Sequence, residues 1–67
     1  DAEVRLAIFD VLGREIAVLL ERPLAAGTHS AVWDGRDAAG KDAPSGHYFY
    51  KLQAGHIGLS RGLTLVR

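Results

Sequence analysis

The fold is decided by the stretch Trp33-Asp34-Gly35-Arg36-Asp37-Ala38-Ala39-Gly40-Lys41-Asp42-Ala43-Pro44-Ser45-Gly46-His47-Tyr48-Phe49-Tyr50. Aromatic residues stand at its two ends, and the segment between them is rich in Gly, Pro and Asp, which favour tight turns. The pattern predicts two strand ends joined by a surface loop of two turns, Asp37–Gly40 and Pro44–Gly46. No catalytic constellation lies within it. The stretch therefore favours a β-sandwich module over an enzyme.

The N-terminal segment predicts a β-hairpin. Val4, Leu6 and Ile8 alternate with less apolar positions, which is the period of a strand with one packed face. The next residues, Asp10-Val11-Leu12-Gly13, place Asp first and Gly fourth, as a type I turn prefers. A returning strand is expected directly after this turn.

The segment Arg14–Leu20 is ambiguous by itself. Ile16, Leu19 and Leu20 fit one face of a helix, whereas Ile16, Val18 and Leu20 fit one face of a strand. The turn before it returns the chain at once, so the strand is the favoured interpretation.

Turn residues divide the rest of the chain into three further strands. The predicted strands cover residues 28–33, 47–53 and 59–66. The predicted breaks are at Pro23–Gly27, 34–46 and Gly55–Gly58. Inward positions are expected at Tyr48, Tyr50, Leu52, Leu63 and Leu65. Five short strands separated by turns predict one all-β antiparallel domain over residues 1–67.

Bulk composition excludes several classes of protein. The 67 residues contain no cysteine, so disulfides and thiolate zinc sites are absent, and burial must stabilise the fold. Eight basic and eight acidic side chains are interspersed, which argues against nucleic-acid binding. No apolar run approaches the roughly 20 residues that span a bilayer. The N-terminus Asp1-Ala2-Glu3 is acidic where a signal peptide would be basic.

The polar residues do not form a predicted metal or catalytic site. The loop carboxylates Asp34, Asp37 and Asp42 suggest calcium, but their spacing departs from that of a calcium loop, and turn capping explains them better. No metal or cofactor is expected. The histidines are scattered, and the serines lack a nearby base. These residues are His29, His47 and His56, and Ser30, Ser45 and Ser60.

The aromatic residues have two interpretations. Exposed rings could form a sugar-binding platform, as in carbohydrate-binding modules. Trp33, Tyr48 and Tyr50 instead occupy inward positions and are expected in the core, which leaves Phe49 as the one candidate exposed ring.

Five segments together resemble a known family in order and spacing. They are Val4–Glu15, Ala26–His29, Trp33–Lys41, Pro44–Leu52 and Leu63–Arg67. The chain resembles the C-terminal sorting modules of the bacterial type IX secretion system and the closely similar immunoglobulin-like domain of the flagellar hook-capping protein. The resemblance implies a small antiparallel immunoglobulin-like β-sandwich.

One departure from this family concerns the N-terminus. Family members usually carry an earlier strand near an Asn-Pro sequence, and immunoglobulin-like sandwiches have about seven strands. The chain begins at what should be the second strand. We therefore expect a missing first strand and an open sheet edge beside Val4–Asp10, through which copies could associate.

The resemblance implies a non-catalytic sorting signal at the end of a larger exported protein. The implied partners are a covalently attached passenger, an outer-membrane translocon and a surface processing protease, and the implied location is the cell surface or the medium, reached through the periplasm. The residues carried over are Gly13, Arg14, Gly46, Tyr48, Leu63, Leu65 and Arg67. Gly at a tight turn and Tyr in a core serve the fold first, so the last five residues, Leu63–Arg67, which we call the tail, are the part that is mainly a signal.

Two alternatives stay open. One is a structural or carbohydrate-binding accessory domain of an extracellular enzyme. The other is a hook-capping-like domain that assembles with copies of itself or with flagellar subunits.

Overall fold

The computed structural model describes residues 2–24 and 32–66, and within them the chain forms four β-strands and no helix. The strands are β1 (Ala2–Asp10), β2 (Glu15–Leu24), β3 (Gly46–Ala54) and β4 (Ile57–Leu65). They form one antiparallel sheet in the order β2-β1-β3-β4. The all-β antiparallel prediction is confirmed.

The β1–β2 hairpin closes through the predicted turn. The amide of Gly13 donates to the Asp10 carbonyl at 3.0 Å, and the amide of Leu12 donates to the Asp10 carboxylate at 2.9 Å. Gly13 has a φ of 83°, a left-handed conformation that glycine adopts without a steric penalty. The Asp-x-x-Gly prediction is therefore confirmed.

The ambiguous segment is a strand with two register shifts. Leu6 pairs with Leu20 and Ala7 with Val18, so Leu19 is an extra residue, and a second shift leaves Ile16 extra in the same way. Both extra residues pack against the hydrophobic core. Because of the bulges, the apolar residues on one face follow neither the two-residue period of a strand nor the 3.6-residue period of a helix. The segment therefore fits both the strand and the helix interpretation in sequence.

Two predicted boundaries are wrong. β2 continues through Pro23, which pairs with Glu3, to Leu24. Proline is tolerated there because β2 is an edge strand, where a missing N–H costs little. β4 begins at Ile57 instead of Leu59, because the turn needs only two residues, Gly55 and His56.

The strand predicted over residues 28–33 is not tested along most of its length. Residues 28–31 lie outside the described part of the chain. Val32 and Trp33 are described and belong to no strand. The loop before β3 therefore begins earlier than the sequence indicated.

The core lies on one face of the sheet, which we call the core face. The central buried side chains come from β1, β2, β3 and the loop before β3: Ile8, Ala17, Tyr48 and Ala43. Half-buried apolar side chains surround them: Ile16, Leu19, Trp33, Tyr50, Leu63 and Leu65. The amide of Ala38 donates to the carbonyl of Ile16 at 2.9 Å, which ties the loop to β2. Loop and sheet thus bury the core between them.

The prediction of an open sheet edge beside β1 is wrong. β1 pairs with β2 over Ala2–Phe9 and with β3 over Val4–Asp10, so it is an inner strand. Within the described residues, the outer strands are β2 and β4. Association through a sheet edge of the described residues would use one of these two strands.

Replacing Ile8 with Ala should lower the free energy of unfolding by about 2–5 kcal/mol, because the side chain is 1% exposed and a cavity would remain. The matched control is Ile57→Ala, since Ile57 also lies in a strand but is 72% exposed. That change should cost less than about 1 kcal/mol. Urea unfolding of both variants measures the difference. Equal losses would show that the core is not centred on Ile8.

Candidate functional site

Six of the seven predicted site residues lie at one end of the sheet. Gly46 pairs with Leu65 and Tyr48 pairs with Leu63, which brings the start of β3 against the end of β4. Asp10 pairs with Tyr48 on the other side, so the turn that contains Gly13 and Arg14 is at the same end. We call this the hairpin end. Arg67 lies outside the described residues.

Tyr48 fixes the hairpin end from inside. Its side chain is 6% exposed, and its hydroxyl donates to the carbonyl of Pro44, four residues earlier. The Trp33 ring meets the Tyr48 ring edge to face, with centroids 5.1 Å apart and planes at 68°. The indole N–H of Trp33 donates to the carbonyl of Arg36 at 2.9 Å. A tyrosine bonded back to the preceding corner is a recurrent feature of immunoglobulin-like domains.

The core assignment of the aromatic residues is confirmed for Tyr48, whereas Trp33 and Tyr50 are half-buried and pack around it. Phe49 is 44% exposed on the opposite face, as predicted. Phe9 pairs with Phe49, and the Lys51 ammonium lies 5.4 Å from the centre of the Phe9 ring. A carbohydrate-binding role for this exposed ring stays an open alternative.

Arg14 is anchored at the hairpin turn. Its guanidinium Nε donates to Asp10 Oδ2 at 2.7 Å, and its amide donates to Oδ1 of the same carboxylate at 2.9 Å. These bonds favour the ionised carboxylate. The backbone amide of Arg14, more than its side chain, thereby holds the pKa of Asp10 below its ordinary value. Arg14 thus braces the turn while most of its side chain stays exposed.

A second turn in the loop repeats this chemistry. Asp37 Oδ1 accepts from the amides of Ala39 at 2.9 Å and Lys41 at 3.0 Å, and the amide of Gly40 donates to the Asp37 carbonyl at 2.9 Å. Asp34 Oδ1 accepts from the amide of Arg36 at 2.9 Å. The turn-capping role predicted for Asp34 and Asp37 is confirmed. Asp42 instead lies 3.4 Å from the Arg36 guanidinium.

The hairpin end also exposes two apolar side chains that sequence reasoning treated only as turn residues. Val11 is 63% exposed and Leu12 is 75% exposed. They border a shallow groove whose other side includes Pro44 and His47. The sequence does indicate this exposed apolar surface, because two branched apolar residues are unusual at the central positions of a surface turn.

An ion-pair cluster occupies the opposite face. The Arg5 guanidinium lies 2.7 Å from Glu15 on one side and 2.7 Å from Glu21 on the other. The hydrogen bond with Glu15 raises the pKa of Arg5 and lowers the pKa of Glu15. All three groups are solvated, so the pairs contribute little to stability and mainly align β1 with β2.

The remaining predicted ligands do not converge. Within residues 2–24 and 32–66, no three His, Cys, Asp or Glu side chains lie close enough together to hold a metal ion. His47 is within 3.2 Å of the Thr64 hydroxyl across the β3–β4 pair. His29 and Ser30 lie outside the described residues. In the same described ranges, no helix is long and apolar enough to cross a membrane.

Residues 1–56 match the family model described as the FlgD Ig-like domain. The chain belongs to this family. Curated proteins and solved structures, compared in turn, gave no match. The FlgD Ig-like match includes the sheet from β1 to β3 and the candidate residues Gly13, Arg14, Gly46 and Tyr48. It ends before β4, so Leu63, Leu65 and Arg67 lie beyond it.

Replacing Asp10 with Asn should lower the melting temperature at pH 7, because the turn loses its charged acceptor. The folded pKa of Asp10 is below its ordinary value of 3.8, so the stabilisation is complete above that pH. It is lost as the pH falls through the lower folded pKa. Thermal unfolding followed by circular dichroism from pH 7 to pH 2 should show the two proteins converging. A gap of constant size would contradict the assigned role of the charge.

Calorimetric titration with calcium or zinc should reveal no stoichiometric site of micromolar affinity. The carboxylates of Asp34 and Asp37 already accept backbone hydrogen bonds, and binding a metal would compete with those turns. Asp37→Asn serves as the comparison, because it removes one candidate ligand. A site that weakens in this variant would overturn the turn-capping interpretation.

Proposed function

We propose that the chain is a non-catalytic sorting module for the export of a larger passenger protein by the type IX secretion system. The chain would be joined covalently to that passenger. An outer-membrane translocon would recognise it, and a surface protease would process it. The route would run through the periplasm to the cell surface or the medium.

The observation that carries the proposal is the position of the tail. Leu63 and Leu65 are half-buried and anchor the end of β4 to the core. Among the described residues, β4 pairs on one side only, with β3. No described strand covers the other side, where main-chain donors and acceptors could pair with an incoming strand, which is a common mode of peptide recognition. Val66, directly after β4, is 82% exposed.

The hairpin end supports a recognition role at the same place. The pairs Gly46–Leu65 and Tyr48–Leu63 join the carried-over residues of β3 to the tail. The exposed apolar pair of Val11 and Leu12 lies at this end too. A partner that binds the tail could therefore contact a rigid turn as well as a strand.

The non-catalytic part of the proposal rests on how the polar groups are used. The carboxylates of Asp10, Asp34 and Asp37 each accept backbone amide hydrogen bonds within their own turns. Glu15 and Glu21 are held by Arg5. These groups are thus committed to holding the backbone and the sheet in shape.

A second candidate is a hook-capping-like assembly domain. The observation that favours it is the family match itself, which covers residues 1–56 with the FlgD Ig-like domain. In this role, copies of the chain would associate with each other or with flagellar subunits. Sedimentation velocity at rising protein concentration tests it. A single species that remains a monomer argues against self-assembly.

Deleting Val66 and Arg67 should trap a fused reporter in the periplasm of a host with the type IX machinery, while the domain stays folded. Val66 is exposed and follows the last paired residue, so its loss removes little buried surface. Surface fluorescence and fractionation measure the location of the reporter, and circular dichroism of the purified domain measures folding.

The control replaces Val18 with Ser, which removes an exposed apolar side chain from β2, the strand farthest from β4 in the sheet. This control should be exported at the parental level. Export of the truncated fusion at the parental level would refute the role of the tail and favour the accessory-domain alternative.

A further inference from the structure

The two outer strands of the sheet differ in how they are protected against pairing. β2 has two register shifts and a proline at position 23. It also has three charged residues, Glu15, Glu21 and Arg22. Bulges, proline and charge are the devices by which proteins keep an edge strand from recruiting another chain. β2 is a blocked edge.

β4 has only one of these devices, a single charged residue. It pairs with β3 through nine consecutive residue pairs, Gly46–Leu65 to Ala54–Ile57, without a register shift. It contains no proline, and Arg61 is its single charged residue. Ile57 and Leu59 are 72% and 39% exposed. Within the described part of the chain, β4 is thus a regular edge strand with apolar side chains that an additional strand could cover.

Arg61 is placed to select what this edge accepts. It pairs with Tyr50, so it lies on the core face in line with Leu59 and Leu63. Its side chain is exposed, and its one described hydrogen bond is a long contact of 3.4 Å to the carbonyl of Ser60. None of the ion pairs among the described residues includes it. An exposed cation in an apolar row favours a carboxylate on the next strand.

We propose that β4 binds an extended acidic segment of a partner protein as a fifth, antiparallel strand. The segment would place Asp or Glu opposite Arg61 and apolar residues opposite Leu59 and Leu63. This inference rests on the proposed function, because it names the chemistry of the partner that would bind the tail strand.

A second copy of the chain fits this edge poorly. An antiparallel pair that keeps the core faces on the same side can be centred on Arg61, which places two Arg side chains opposite each other. Moving the register by two residues places Arg61 opposite Leu59 or Leu63 instead. No carboxylate is available in any of these registers, because Ile57–Leu65 contains no Asp or Glu. Charge complementarity therefore favours a different, acidic strand.

The test uses two synthetic nine-residue peptides of alternating Thr and Val, one with Glu and one with Lys at the central position. Each is titrated into the isotopically labelled chain, and amide chemical shifts are followed by NMR. The Glu peptide should shift the amides of β4 but not those of β2. It should bind about two- to fivefold more tightly than the Lys peptide, as expected for one cross-strand charge pair.

Charge reversal supplies the matched variants. Arg61→Glu should reverse the preference between the two peptides. Arg22→Glu should leave it unchanged, because Arg22 is also exposed on the core face but belongs to the blocked edge. Equal binding of both peptides by the unaltered chain, shifts confined to β2, or no binding would each overturn the proposal. So would concentration-dependent β4 shifts without peptide, which would identify a second copy as the occupant.

The two proposals fail separately. If the Glu peptide binds β4 and the chain without Val66 and Arg67 is still exported, the edge accepts acidic strands but the sorting function is wrong. If that deletion blocks export and neither peptide binds β4, the sorting function stands and the acidic-strand inference is wrong.

Discussion

The pairing of β1 on both of its sides is the constraint on which the rest of the structure depends. One side sets the register of β2, and the other sets the register of β3, which in turn carries β4. Ile8, the one large side chain that is fully buried among the described residues, lies in β1 at the centre of the core. A shift of one residue in β1 would turn Ile8 to the opposite face. The hairpin end and the tail keep their relation only while this register holds.

The turns and the alternation of apolar and polar residues can be predicted from the sequence, because both depend on neighbouring residues only. The Asp10–Gly13 and Asp37–Gly40 turns follow from the residues within them, and the alternation of Tyr48 and Tyr50 marks the inner face of β3. The order of the strands was not readable, because it depends on which edges meet in space. The family pattern, with its missing first strand, predicts an open edge beside β1, whereas β2 and β4 are the outer strands among the described residues.

The bulges of β2 show where a periodic pattern fails. Ile16 and Leu19 reach the core because each is one residue more than β1 can pair with. Neither a strand period nor a helix period describes such a segment. The same position in the sheet explains Pro23, which reads as a strand breaker but lies in an outer strand. The candidate site is likewise only partly predictable from the sequence. The sequence identifies its residues, but their position at one end of the sheet depends on the β3–β4 register.

Family membership and the proposed function depend on different parts of this chain. The FlgD Ig-like match ends at residue 56, so it includes the frame of β1 to β3 but not the outer strand β4. A frame of this kind can carry many functions, because function depends on the sites placed upon it. Here the frame is held by buried apolar residues and capped turns, whereas, among the described residues, β4 pairs on one side only and Arg61 forms no ion pair. The features of β4 that support the proposed recognition role therefore lie outside the residues that the family match covers.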